Sequence, residues 1–207
     1  MPFDDASHSV GAFCNGPLTL ILSHPLPPAT VRAKVADFLP WAQAGDWQAL
    51  FGGRTNAAWR VDGPLGEAAV LKLYRSGTPN PLFPNDPQAE AAMLRHLDGH
   101  NIAPDLIGSF AVDGLDCNLY HALDGTPWAN GVKHVAALIQ KLHDVPAPAG
   151  LRHAANGSEE VIAQAREILR LADAELDMPD QVLGSPVPPS EKTVLLHCDI
   201  VPGNLIE

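Results

Sequence analysis

Short strand-like segments separated by tight turns constrain the possible folds more than any other feature of this chain. Residues 47–51, 57–61 and 68–74 are predicted as strands, and the turns between them are Gly52-Gly53-Arg54-Thr55-Asn56 and Asp62-Gly63-Pro64-Leu65-Gly66. Parallel neighbours need a crossover of about a dozen residues or more. Turns this short therefore predict an antiparallel sheet.

One helix is predicted to interrupt the strands. Asp86 suits the N-cap position, Pro87 suits the first helical position, and Gly99 is expected to end the helix. Two further strands are predicted at residues 106–112 and 117–122. A helix inserted among antiparallel strands is typical of an α+β fold and not of an alternating parallel sheet.

The remainder of the chain is predicted to be mainly helical. Apolar residues recur at helical spacing over 135–142 and 161–172, and a short apolar strand at 193–196 leads into a polar loop. The predicted architecture is α+β with two lobes. Its parts are an irregular N-terminal extension (1–28), a lobe with the antiparallel sheet and the inserted helix (29–124), and a partial helical lobe (125–207).

Charge and composition argue against several classes of partner. The 207 residues carry 13 Lys and Arg against 24 Asp and Glu, a net charge of −11, whereas nucleic-acid-binding surfaces are basic. No apolar run approaches the ~20 residues of a membrane-spanning helix, and the N-terminus is acidic where a signal peptide would be basic. Three widely spaced cysteines, Cys14, Cys117 and Cys198, favour a reducing compartment. We therefore expect a cytoplasmic protein without nucleic-acid or membrane partners, and leave its oligomeric state open.

A polar loop near residue 200 carries the strongest chemical signal. It contains His197, then Asp199 two residues later, and Asn204 five residues after that. Phosphoryl transfer uses such a set, because a carboxylate can accept or orient the proton of a hydroxyl while an amide oxygen of the same loop binds magnesium. The alternative interpretation is an Asx-rich turn before a strand.

Lys72 and Glu90 form a second candidate group. Strand alternation places Lys72 on the same face as Val70 and Tyr74, where an ammonium needs a partner or a path to water. Helical spacing places Glu90 along the apolar stripe of the inserted helix, where a carboxylate needs a cation. The two are expected to pair, as kinases pair a strand lysine with a helix glutamate. The alternatives are a solvated edge lysine and a surface glutamate stabilised by the helix dipole.

The turn Gly52-Gly53-Arg54-Thr55-Asn56 is a third and weaker signal. Its glycines would let backbone N–H groups approach phosphate oxygens closely. Paired glycines are common in hairpin turns, so this feature is not specific by itself. The sequence contains no G-x4-G-K-[ST] phosphate loop, no G-x-G-x-x-G fingerprint and no H-E-x-x-H zinc motif.

Taken in order, these segments resemble the superfamily of choline kinases and aminoglycoside phosphotransferases, the small-molecule relatives of protein kinases. The resemblance covers about residues 45–207, and its last motif is the most specific. The matching segments are F-G-G-R-T-N-A-A-W-R-V at 51–61, L-K-L-Y at 71–74 with Glu90 in the next helix, L-Y-H-A-L-D-G at 119–125, the helix ending in L-H at 138–143, and L-H-C-D-I-V-P-G-N at 196–204.

This resemblance implies a two-lobed protein-kinase-like fold and an ATP- and Mg²⁺-dependent phosphotransferase. It implies that Lys72 contacts the ATP phosphates, Glu90 fixes Lys72, Asp199 is the catalytic base and Asn204 binds magnesium. Besides Lys72, the residues implied to contact the nucleotide are Gly52, Gly53, Thr55, Asn56, Tyr120 and Ala122. The implied acceptor is a hydroxyl of a small molecule, such as an amino alcohol like choline, ethanolamine or thiamine.

Two departures from the family pattern qualify this expectation. Cys198 replaces a Gly, and the second magnesium-binding Asp that family members place shortly after the Asn does not occur between Asn204 and Glu207. We therefore expect a C-terminally truncated chain with strongly weakened catalysis. The alternative is a non-catalytic, pseudokinase-type module that binds nucleotide or another protein.

Overall fold

The computed structural model describes residues 25–51, 55–75, 84–173, 186–197 and 199–207. Most of the predicted N-terminal extension (1–24) lies outside these ranges, as do Gly52 and Gly53 of the predicted phosphate-binding turn. Within them, five strands form one antiparallel sheet in the order β1-β2-β3-β5-β4. The strands are β1 (Asp46–Leu50), β2 (Ala57–Asp62), β3 (Ala68–Leu73), β4 (Leu106–Val112) and β5 (Leu115–His121).

The observed strands confirm the five predicted ones with small shifts at their ends. The largest shift is in β5, which begins at Leu115 and not at the predicted Cys117. The reason is the turn at Asp113-Gly114, where both residues have positive φ, 52° and 75°. This left-handed geometry allows a tight hairpin, so strand pairing continues up to the turn with Val112 opposite Leu115.

One face of the sheet forms the main core. Trp59 of β2, Leu71 and Leu73 of β3, and Leu119 of β5 are almost completely buried in one apolar cluster. Helix α1 (Ala29–Phe38) belongs to this core through Val31 and Val35. Alternation along β3 then directs Val70 and Lys72 to the opposite face of the sheet.

Helix α2 (Pro87–His96) is the helix inserted between β3 and β4, as predicted. Its N-cap is Asp86, whose carboxylate accepts hydrogen bonds from the backbone N–H groups of Gln88 (2.9 Å) and Ala89 (3.0 Å). The helix contacts β4 and β5. It ends at His96, and Gly99 follows in the left-handed conformation with φ of 76°.

Helices α3 (Val132–Asp144) and α4 (Ser158–Leu171) confirm the helical prediction for the later part of the chain, yet neither contains a buried residue. A small second core joins Leu97, after α2, to Val145, after α3, and to Leu195. Within the described ranges, every helix falls short of the length and apolarity that a bilayer crossing requires.

The strand predicted at 193–196 is wrong. These residues form no regular secondary structure in the described part of the chain, although Leu195 is buried in the second core. Strand pairing occurs closer to residue 207 instead, where Ile206 forms an antiparallel bridge with Pro127. Thr126 and Glu207 exchange two backbone hydrogen bonds there, of 3.0 and 2.9 Å. A strand needs a neighbour to complete its hydrogen bonds, and the neighbour at 126–128 pairs with 205–207.

Candidate active site

Lys72 and Glu90 form the predicted ion pair. The ammonium of Lys72 and the carboxylate of Glu90 are 2.6 Å apart, with the Lys72 Nζ donating to Glu90 Oε2. Strand β3 supplies the lysine, and the first turn of α2 supplies the glutamate. The two side chains are 26% and 34% exposed, so they are shielded from water in part and remain reachable by a ligand.

Tyr74 lies beside this ion pair. The Lys72 Nζ lies 5.0 Å from the centre of the Tyr74 ring, within the range of a cation–π interaction. Burial raises the pKa of the Tyr74 hydroxyl far above its ordinary value, and hydrogen bonding to the Glu90 carboxylate raises it further. Tyr74 therefore remains a neutral hydrogen-bonding group at any physiological pH.

Asn118 is the fully buried polar residue behind the pair. It lies directly opposite Lys72 in the pairing of β3 with β5. Its amide nitrogen donates to the Tyr74 hydroxyl (2.8 Å) and to the carbonyl of Pro87 at the start of α2 (3.0 Å). Its amide oxygen, also buried, has no hydrogen-bond partner among the described residues. A buried polar atom without a hydrogen-bond partner lowers stability by about 1–3 kcal/mol, so an apolar residue would be more stable at this position.

Asn56 of the predicted nucleotide-binding turn forms hydrogen bonds within the protein. Its side chain and that of Asn85 exchange two hydrogen bonds of 2.8 Å. The Asn56 oxygen also accepts from the backbone N–H of Arg75 (3.2 Å), and Asn85 donates to the Arg75 carbonyl (3.0 Å). This amide pair holds the end of β3 beside the start of α2. The neighbouring Thr55 is exposed.

The segment 119–125, which the resemblance implies contacts the nucleotide, begins in β5 and continues beyond its end. Tyr120 lies opposite Val70 and hence on the same face as Lys72, and burial raises the pKa of its hydroxyl. The backbone N–H of Ala122 donates to the carbonyl of Ala68 (3.1 Å). That N–H is therefore committed to the sheet, so other backbone groups of this segment, such as those of Leu123, would have to carry the implied contact with the nucleotide.

The predicted catalytic loop brings Asp199 and Asn204 together. The Asn204 amide nitrogen donates to the Asp199 carboxylate (2.8 Å) and to the Asp199 carbonyl (3.1 Å). The backbone N–H of Asp199 donates to Nδ1 of His197 (3.3 Å). Both Asp199 and Asn204 are exposed, so the two groups can meet a ligand without rearrangement of a core.

The donor atoms of this loop suit magnesium. A carboxylate and an amide oxygen are hard ligands of the type that Mg²⁺ takes together with phosphate oxygens and water. Since the nitrogen of Asn204 already bonds Asp199, its oxygen is the atom left to bind a cation. No cluster of three or more His, Cys, Asp or Glu side chains that could hold a metal occurs among the described residues.

A cavity of about 1320 Å³ connects the two candidate groups. Glu90, Ala122, His197 and Asn204 all contribute to its wall. Lys72 and Asp199 are absent from the wall formed by the described residues, but each hydrogen-bonds a residue that belongs to it. Ligand sites usually measure about 300–1000 Å³, so this cavity has room for more than one small molecule.

The fold and this cavity define a kinase-like protein, with an antiparallel sheet and its two helices on one side and a partly helical segment on the other. The chain matches the phosphotransferase enzyme family over residues 46–206. It therefore belongs to that family, which confirms the resemblance to the choline kinase and aminoglycoside phosphotransferase superfamily. None of the curated proteins searched matches the chain significantly.

Sequence reasoning missed Asn118 and Asn85. Asn118 stands between Cys117 and Leu119 in β5, and this position was the available signal, since a polar residue between two buried apolar residues needs a specific partner. Asn85 precedes a helix N-cap and gave no signal of its own. Its partner Asn56 lies 29 residues earlier.

Proposed function

We propose that this protein transfers the γ-phosphoryl group of ATP to a hydroxyl of a small molecule. The observation that carries the proposal is the 2.6 Å ion pair between Lys72 and Glu90, together with the cavity that Glu90 shares with Asn204 of the loop. An ammonium fixed by a carboxylate on one side, and a carboxylate beside an amide on the other, are the groups that phosphoryl transfer requires.

In the proposed mechanism the residues mainly position and neutralise charge. Lys72, held by Glu90, binds a phosphate oxygen of ATP and orients the chain of phosphates. Asp199 accepts the proton of the acceptor hydroxyl. The hydroxyl oxygen forms a bond to the γ-phosphorus, while the bond between that phosphorus and the bridging oxygen breaks and releases ADP. Asn204 would hold a magnesium ion through its amide oxygen, and that ion when bound neutralises charge on the phosphates.

An amino alcohol of the choline, ethanolamine or thiamine type is the proposed acceptor. The chain has a net charge of −11. Among the cavity residues, Asp105 and Asp124 add carboxylates to that of Glu90, while Arg152 and Lys192 supply positive charge. Because Lys72 neutralises Glu90, the other four lining charges balance, and the preference for a positively charged ligand rests on the net negative charge of the chain.

Calorimetric titration with MgATP tests the nucleotide site. Lys72→Met should weaken binding about tenfold, which corresponds to one charge-assisted hydrogen bond. Lys133→Met is the matched control, because Lys133 is exposed on α3 and should bind MgATP like the wild type. Absence of MgATP binding by the wild type, or equal affinities of the two variants, would refute the proposal.

Phosphoryl transfer is then measured with choline, ethanolamine and thiamine as acceptors. Asp199→Asn should lower the turnover of the wild type by about 10²-fold or more while leaving MgATP affinity nearly unchanged, because a general base acts in the transition state. We expect turnover by the 207-residue chain itself to be slow, and fast turnover would contradict that expectation. Nucleotide binding that ignores magnesium, with no transfer to any acceptor, would instead favour the non-catalytic module.

A further inference from the structure

We propose that Tyr74 and Asn118 are positioning residues that hold Glu90 and Lys72 in place for the nucleotide. This inference rests on the proposed function, because it assigns a purpose to the ion pair only if Lys72 binds phosphate. It concerns residues that do not themselves contact the substrate.

The ion pair alone is too exposed to fix its own geometry. Lys72 and Glu90 are 26% and 34% exposed, and exposed ion pairs between flexible side chains contribute little and sample several arrangements. A lysine that must meet a phosphate within a few tenths of an ångström needs further restraint. The surroundings of the pair supply that restraint from two directions.

The first restraint acts on Lys72 through Tyr74. The ring of Tyr74 is nearly buried and lies 5.0 Å from the Lys72 ammonium. The hydroxyl of the same ring accepts a hydrogen bond from Asn118 (2.8 Å), which fixes the position of the ring. The ring therefore closes one side of the space that the ammonium could otherwise explore.

The second restraint acts on Glu90 through the start of its helix. Asn118 also donates to the carbonyl of Pro87, the first residue of α2, at 3.0 Å. Glu90 follows Pro87 by three residues and therefore sits less than one turn away. A single buried amide thus ties the helix that carries Glu90 to the tyrosine that contacts Lys72.

The burial of Asn118 supports a positioning role over simple packing. The residue is fully buried, and its amide oxygen has no partner among the residues that the structure describes. A leucine would fill a similar volume without leaving a buried oxygen unpaired. An apolar residue would lose the two hydrogen bonds of the amide nitrogen. One of these goes to Tyr74, which contacts Lys72, and the other to Pro87, which begins the helix that carries Glu90.

Tyr74→Phe tests the inference with little change in shape. It removes the hydroxyl, keeps the ring, and should weaken MgATP binding about fivefold. Trp47→Phe is the matched control, since it also removes a partly buried hydrogen bond (to the Ala42 carbonyl) while keeping an aromatic ring. Trp47 lies at the far edge of the sheet, opposite Val61. This control should lower stability without changing MgATP affinity.

Asn118→Leu is a second variant. Like Tyr74→Phe, it should weaken MgATP binding about fivefold.

A double-mutant cycle separates positioning from general destabilisation. In the Lys72→Met background, Tyr74→Phe should cause no further loss of MgATP affinity, because its effect passes through Lys72. A further fivefold loss in that background would overturn the inference. So would equal MgATP affinities of Tyr74→Phe and Trp47→Phe, and in that case the proposed function would still stand.

Chemical labelling of lysines gives a readout that needs no nucleotide. With a limiting dose of an acetylating reagent, Lys72 should react faster in Tyr74→Phe and in Asn118→Leu than in the wild type, measured by mass spectrometry relative to Lys133. Unchanged reactivity of Lys72 would overturn the inference. If the wild type fails to bind MgATP, the proposed function fails, and this labelling result decides whether the positioning network exists.

Discussion

The sheet and the later helices are held in different ways, although both contribute to the candidate active site. The sheet has a continuous core that includes Trp59, Leu71 and Leu119, and its strands are paired along their length. Helices α3 and α4 contain no buried residue. The difference shows that the lysine side of the site is built on a rigid scaffold, whereas the aspartate side depends on a few contacts.

Those few contacts can be identified. Leu195 and Leu205 are buried on either side of the loop with Asp199 and Asn204, and Thr126 pairs with Glu207. Local stability follows the density of buried contacts and paired backbone groups. The loop should therefore exchange its amide hydrogens faster than β3, which has partners on both sides.

Removing a core side chain of the sheet should have the largest effect on stability. Leu71→Ala should lower the free energy of unfolding by about 2–5 kcal/mol, because it leaves a cavity in a fully buried cluster. Urea unfolding followed by circular dichroism measures this value. Val132→Ala in α3 is the control, since Val132 is 76% exposed, and should change it by less than about 0.5 kcal/mol. Equal losses would contradict the contrast between the two regions.

Loss of the helix cap beside the ion pair should have an intermediate effect. Asp86→Ala removes the acceptor of two backbone hydrogen bonds at the start of α2 and should cost about 1 kcal/mol of unfolding free energy. Asp86→Asn should cost clearly less, because asparagine is also a good N-cap. If both substitutions cost the same, charge at the helix end and not hydrogen bonding would explain the role of Asp86.

An exposed ion pair of the helical region should have the smallest effect. Arg170 bonds Glu167 with distances of 2.6 and 2.7 Å, and this hydrogen bond lowers the pKa of Glu167. A lowered pKa in the folded state means that the stabilisation is present above the ordinary pKa of glutamate and disappears as the pH falls through the lowered value. The difference in stability between wild type and Glu167→Gln should be small at neutral pH and absent in acid.

Salt provides the control for this last prediction. The pair lies on an exposed helix surface, so 1 M salt should remove most of the small difference at neutral pH. Denaturation curves at two pH values and two salt concentrations suffice to measure it. If the stability difference between wild type and Glu167→Gln grew in acid, its pH dependence would be opposite to that expected from the lowered pKa of Glu167.

Local patterns predicted most of the fold and the main contacts of the site. Alternation along β3 and helical spacing in α2 together predicted that Lys72 meets Glu90. Asp86 was predicted as a cap because the cap rules act within one turn. The closeness of Asp199 and Asn204 followed from their position in one short loop.

Contacts between distant segments were beyond the reach of these patterns. The bond between Asn118 in β5 and Tyr74, which follows β3, joins residues 44 positions apart, and no local periodicity specifies it. The error at residues 193–196 has the same origin. Apolar composition indicated a strand, but the choice between 193–196 and 205–207 was decided by which segment lies beside residues 126–128.

The pairing of Thr126 with Glu207 links two parts of the site mechanically. Thr126 lies five residues beyond the end of β5, and Glu207 lies three residues beyond Asn204. A change in the direction of the chain after β5 must therefore pull the exit of the Asp–Asn loop with it. In this arrangement, a ligand that bends the segment after β5 would also displace Asn204 and the Asp199 carboxylate bonded to it.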